Sequence, residues 1–165
     1  MALVPNALIF LVGEELDYAF LMQSHLLRAG VRNPIFALRG FSESKDHLLQ
    51  MARDRDWELV TEPHLAVISV GQDGAGLEFL GWLRSRPMFR CIMALVSVER
   101  GRPDDLHRSL DLGANGFVYK DGDHAREAGM IAALTSSQPR NHPVLAGSCT
   151  EVGSDSAPAS AFSDF

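Results

Sequence analysis

Pro63-His64-Leu65-Ala66-Val67-Ile68-Ser69-Val70-Gly71-Gln72-Asp73-Gly74-Ala75-Gly76-Leu77-Glu78-Phe79-Leu80 organises the chain around it. Leu65 to Val70 is a short apolar run rich in β-branched residues, bounded by Pro63 and by a glycine cluster. An apolar run without alternation predicts a strand buried on both faces, as at the centre of a parallel sheet. The glycines end the strand and let the chain turn sharply into a helix starting near Ala75. Open parallel sheets carry their function in the crevice at the carboxyl ends of the strands. Ser69 lies at that end, so the chemistry of a serine there becomes the central question.

The same pattern repeats on both sides of this stretch. Ala7 to Val12, Ile35 to Leu38, Ile92 to Ser97 and Gly116 to Lys120 read as four further strands. Between them run helical patterns. Asp17 is expected to cap the first helix, which runs to about Ala29 with an apolar stripe of Leu16, Phe20, Leu26 and Leu27. Ser42 opens a second to about Asp54, with Leu48, Leu49 and Met51. A third, from about Ala75 to Arg86, turns Leu77, Phe79, Leu80 and Leu83 inwards. Pro103 fits the first turn of the fourth, where Asp104 and Asp105 suit the positive helix end. The fifth runs from about Asp123 to Leu134. Strand and helix thus alternate five times. Parallel strands need crossovers, these are right-handed, and helices then cover both faces of an α/β sheet.

One domain accounts for residues 1–136. From there to residue 165 Ser, Pro, Gly, Asp and Ala dominate, and a flexible tail with little to bury is expected. The charged connection from Arg53 to Glu62, carrying Trp57, reads as solvated surface. Hydrophobic residues make up 46% and charged residues 22% of the chain, ordinary for a soluble globular protein. The formal net charge is −6, which disfavours nucleic acid and anionic membranes as partners. Cys91 and Cys149 have no metal-ligand spacing and form no disulfide framework, so a reducing, cytoplasmic setting is expected. The opening MALVPNALIFLVGEELD lacks a basic leader, and its apolar run is too short to cross a bilayer.

Three segments carry a family resemblance. Leu11-Val12-Gly13-Glu14 followed by Asp17-Tyr18-Ala19-Phe20-Leu21 resembles the first strand and helix of single-domain receivers associated with phytochromes. Gly76-Leu77-Glu78-Phe79-Leu80 matches the start of the third helix. Leu112-Gly113-Ala114-Asn115-Gly116-Phe117-Val118-Tyr119-Lys120 is the most specific piece, matching the family's run into the fifth strand. Over roughly residues 7–135 the chain therefore resembles the receiver domain of two-component response regulators. That implies a flavodoxin-like, CheY-like (βα)5 sheet in the order 2-1-3-4-5.

The resemblance also implies a chemistry, and here the sequence departs from it. Receivers accept a phosphoryl group from a histidine kinase on an aspartate after the third strand. Two acidic residues after the first strand help to hold Mg²⁺, and a hydroxyl and a lysine bind the phosphoryl oxygens. Lys120 matches the lysine, Ser97 the hydroxyl and Phe117 the switch aromatic. Of the acidic pair only Glu14 remains, because Gly13 takes the other place. Ser69 replaces the acceptor. The loop after it is shortened by about one residue on alignment. Asp121 stands where the family has a proline after its lysine. A serine hydroxyl is not ionised near neutral pH and brings no charge to a metal, so Mg²⁺ binding is expected to be weak or absent.

These positions read as a pseudo-receiver: the fold kept, aspartate phosphorylation lost, no catalytic residue and no cofactor. Its output would be contact with a protein partner, a histidine kinase or another signalling protein. Receivers commonly use the fourth helix, fifth strand and fifth helix for this or for a homodimer. The corresponding face here carries Leu106, Leu110, Val118, Ala125 and Ala128. The competing readings are a displaced acceptor or a small-ligand sensor built on Glu14, Ser69 and Lys120. Asp73 is the displaced-acceptor candidate, but four residues past Ser69 the chain is expected to have turned away. Lys120 is expected either to be solvated or to pair with Glu14.

Overall fold

The computed structural model describes residues 7–54 and 64–136, without the side chain of Leu16. The expectations for the connection carrying Trp57, for Cys149 and for the tail fall outside the described residues, whereas Cys91, expected to take part in no disulfide, is disulfide-bonded. Five strands alternate with five helices: β1 (Ile9–Gly13), α1 (Leu16–Arg28), β2 (Ile35–Arg39), α2 (Gly40–Arg53), β3 (Leu65–Ser69), α3 (Ala75–Ser85), β4 (Met93–Glu99), α4 (Pro103–Asp111), β5 (Gly116–Lys120) and α5 (His124–Ser136). A short 3-10 turn, Pro87–Phe89, leads from α3 towards β4. All strands pair in parallel, in the order β2-β1-β3-β4-β5.

Burial along each strand follows from that order. Every residue of β1 and β3 is buried, whereas the edge strands β2 and β5 each bury a single residue. An unbroken apolar run is what a strand covered on both faces requires. One face packs Phe10, Val12, Ile68 and Val96 against Leu48 of α2, Leu77 and Leu80 of α3 and, at its margin, Leu106 of α4. The other packs Ile9, Leu11, Val67 and Leu95 against Met22 and Leu26 of α1 and Ile131 of α5. Helices α1 and α5 therefore cover one face, and α2, α3 and α4 the other.

Several local expectations are corrected. Asp17 lies within the first turn of α1; Glu15 occupies the cap position and makes no capping bond through its side chain. The buried stripe of α1 is Tyr18, Ala19, Met22 and Leu26, while Phe20 and Leu27 are about half exposed. Leucines one apart cannot both face the sheet, and the tilt of the helix selects Leu26. The strand β4 extends past Ser97 to Glu99, so Ser97 is an interior strand residue.

Two contacts show why particular residues stand near the site. A Cβ at Gly76 would lie 2.4 Å from the Ser69 carbonyl oxygen, so only glycine lets α3 start this close to the end of β3. Arg84 of α3 donates to the carbonyls of Ile92 and Gly113 at 2.8 Å each and to Oδ1 of Asn115 at 2.7 Å. Asn115 Oδ1 also accepts the N–H of Ala94. The Leu112–Lys120 segment is thereby fixed to β4 and α3, and Lys120 is delivered to the carboxyl edge of the sheet.

Candidate functional site

The carboxyl edge brings Gly13, Ser69, Ser97 and Lys120 into one neighbourhood. Ser69 is opposite Ser97 in the β3–β4 register, and Glu99 is opposite Lys120 in the β4–β5 register. A cavity of about 300 Å³ opens there, and its walls include Glu14, Glu15, Ser69, Asp73, Glu99 and Lys120. Ser69 is only 6% exposed. The Gly13 Cα faces it so closely that a Cβ would come within 3.2 Å of the Ser69 Cβ.

The charged groups do not pair as the sequence led us to expect. Lys120 Nζ lies 3.6 Å from Glu15 Oε2, not on Glu14, and 4.7 Å from the centre of the Tyr18 ring. Asp73 has not turned away: it lines the same cavity as Ser69. Its Oδ1 accepts the N–H of Ala75 at 3.1 Å, which ties it to the start of α3. Arg102 reaches across from the β4–α4 loop, donating to the Gln72 carbonyl at 3.0 Å while its Nε holds Asp105 at 2.8 Å.

Ser97 is fully buried and does not line the cavity. Its hydroxyl donates to Glu127 Oε1 at 2.5 Å, and the Tyr18 hydroxyl donates to the same oxygen at 2.5 Å. Glu127 is itself 1% exposed. One carboxylate oxygen thus joins α1, β4 and α5 beneath the site. The other, Oε2, lies 3.8 Å from Nδ1 of His124 and accepts no hydrogen bond among the described residues. Burial, and then the adjacent Glu127 carboxylate, push the Tyr18 phenol well above its ordinary range. Glu127 was missed in the sequence, although its spacing to Ile131 and Thr135 puts it on the buried stripe of α5. Glu15, Tyr18 and Glu99 carried no comparable signal.

Two of the places where a receiver supplies metal carboxylates bring none here. Ser69 offers a hydroxyl where a carboxylate is needed, and Gly13 offers no side chain. Among the described residues no three His, Cys, Asp or Glu side chains are grouped so as to hold a metal ion. The cavity carboxylates are spread along its wall rather than converging on a point.

Comparison with known proteins bears on the fold. No family model matches the chain, and no curated protein does. Solved structures do match. A response regulator receiver domain from Rhodospirillum rubrum aligns at 22% identity with a TM-score of 0.64, covering 78% of this chain and 90% of that one. The chain has the receiver fold. The phosphorylated cyanobacterial phytochrome response regulator RcpA aligns at 20% identity and a TM-score of 0.61, over 78% of this chain and 91% of its own. The bacteriophytochrome response regulator RtBRR aligns at 23% identity and 0.62, over 87% and 86%.

Within the receiver fold, the face formed by α4, β5 and α5 divides the expected interface residues. Leu110 is 44% exposed, Ala125 is exposed and Leu106 is half-buried; Phe117, expected as the switch aromatic, is 38% exposed. Val118 and Ala128 are core residues instead, at 3% and 0% exposure. Val118 points between the sheet and the α1/α5 layer, and Ala128 lies on the α5 stripe that packs there. Phe117 stands edge-on to Tyr119 at 5.3 Å. No helix among the described residues is long and apolar enough to cross a membrane.

Proposed function

We propose that this chain is an atypical response regulator, a pseudo-receiver that signals by protein contact without aspartate phosphorylation. The observation that carries the reading is Ser69 at the end of β3, the acceptor's place in the receiver fold, with a hydroxyl and no carboxylate. The surroundings support it. The hydroxyl expected to bind phosphoryl oxygens, Ser97, donates to Glu127 away from the cavity. The lysine expected to do the same lies beside Glu15. A group arriving at Ser69 would therefore find neither partner free without rearrangement.

On this reading the protein is not an enzyme, needs no cofactor and works in the cytoplasm. Its partner is a histidine kinase or another signalling protein, or a second copy of itself. The α4–β5–α5 face, with Leu110 and Phe117 exposed, is the surface offered. Incubation with acetyl phosphate and Mg²⁺, read by intact-protein mass spectrometry, tests the loss of phosphorylation. No added phosphoryl group is expected. Stoichiometric incorporation would refute the reading, and mapping it to Asp73 would identify a displaced acceptor.

A further inference from the structure

The cavity above Ser69 has a composition that phosphoryl chemistry does not explain. Four carboxylates, Glu14, Glu15, Asp73 and Glu99, face one ammonium, that of Lys120. Lys120 lies beside Glu15, and Asp73 is held by the Ala75 N–H. The side-chain carboxylates of Glu14 and Glu99 make no ion pair or hydrogen bond among the described residues, although the Glu99 carbonyl accepts the Arg102 N–H. Glu14 directly follows β1 and Glu99 ends β4, the two neighbours of β3 in the sheet, and those two strands are about 10 Å apart. The Ser69 hydroxyl is a second and independent feature. Its residue is more than nine-tenths buried, it lines the cavity, and it has no hydrogen-bond partner among the described residues.

We propose that this cavity is a binding site for a small organic cation with two separated ammonium groups. No three of the carboxylates are grouped so as to hold a metal ion, which favours a cation long enough to reach separate ones. A linear diammonium meets Glu14 with one end and Glu99 with the other, and an N–H at the nearer end donates to Ser69 Oγ. Each charge then gains an opposite charge in a partly enclosed space, where attraction exceeds its value in open water. The cation also relieves the repulsion among the carboxylates. Arg102 leaves room for it, because its guanidinium backs the loop through the Gln72 carbonyl and Asp105 rather than lining the cavity. The proposal rests on the reading that this cavity no longer receives phosphate. The two fail separately: phosphate incorporation refutes that reading, and the titration below refutes this one.

The test is an amide-resolved NMR titration of the full chain with 1,4-diaminobutane, with butylamine and Mg²⁺ as separate arms at low ionic strength. Saturable shifts are expected at Glu14, Ser69, Gly71 and Glu99 with the diamine. Butylamine should bind about two- to fivefold more weakly, as the loss of one exposed ion pair implies. Glu14→Gln and Glu99→Gln should each weaken the diamine by a similar factor while leaving the thermal midpoint unchanged. Ser69→Ala serves as a further variant that alters no charge and should also weaken it. The proposal is overturned if the diamine gives no saturable shift at these amides, or if both charge variants bind it as the wild type does. Mg²⁺ saturating the same amides at a lower concentration, or butylamine binding equally well, would also overturn it.

Discussion

At the scale of single residues, the Glu127 carboxylate is the most consequential group in the interior. Its Oε1 accepts from Tyr18 and Ser97, which belong to elements far apart in sequence. Buried donors left without an acceptor cost about 1–3 kcal/mol each, so the carboxylate also guards both hydroxyls. The raised phenol of Tyr18 gives this arrangement a pH signature. A folded-state value above the unfolded one means that the folded chain holds the proton more tightly. The associated stability is complete below the unfolded phenol's value, about 10, and is lost as pH rises beyond it. Chemical denaturation across pH 9–11 should therefore show a stability decline that is shallower in Tyr18→Phe. At neutral pH the same variant should be less stable by about 1 kcal/mol, from one lost hydrogen bond. Equal alkaline slopes in the two proteins would show that Tyr18 does not hold its proton in this way.

At the scale of elements, α4, β5 and α5 present a surface whose apolar members are few and specific. Leu110 and Phe117 stand in solvent, whereas Val118 and Ala128 are committed to the core. Exposed Leu110, Phe117 and Ala125 give this face a small total apolar area, suited to a modest contact. If the patch joins two copies, sedimentation equilibrium should show a mass rising with concentration above the 18.1 kDa of one chain. Leu110→Asp should hold the protein at that monomer mass with an unchanged thermal midpoint, because the side chain lies outside both core clusters. Self-association that survives Leu110→Asp and Phe117→Asp together would place the contact elsewhere.

At the scale of the whole molecule, the question is how much of the receiver chemistry one substitution restores. Ser69→Asp alone places a carboxylate between Glu14 and Lys120, and the fold should tolerate it. Phosphorylation should stay slow, because Gly13 leaves a metal one carboxylate short and Ser97 remains bonded to Glu127. Gly13→Asp supplies the missing carboxylate but brings a Cβ within 3.2 Å of the Ser69 Cβ. The two strands must then give slightly, at a cost of about 1–3 kcal/mol for overpacking. The double variant should bind Mg²⁺ more tightly than the two single changes predict by addition, since both carboxylates share one ion. Amide-detected Mg²⁺ titration of the three variants measures this. Fast, complete phosphorylation of Ser69→Asp alone would mean that the rest of the site is intact.

The sequence alone determined the architecture. Unbroken apolar runs such as Leu65–Ser69 bury both faces of a central strand, five strand segments alternate with helices, and parallel crossovers have one hand. That Ser69 and Gly13 bring no carboxylate to the strand ends was equally legible, because each is a matter of residue type at a position; reading this as a lost acceptor site is the proposal made above. What the tertiary structure decided was which groups meet. Lys120 lies beside Glu15 because the start of α1 brings that side chain, not Glu14, over β5. Ser97 is turned into the interior because Glu127, some thirty residues later, lies buried beneath it. Helical spacing places Glu127 on a buried stripe but does not say which hydroxyls face that stripe. Pairings of this kind depend on the packing angles of α1 and α5 on the sheet, and those are set by side-chain volumes summed over the whole core.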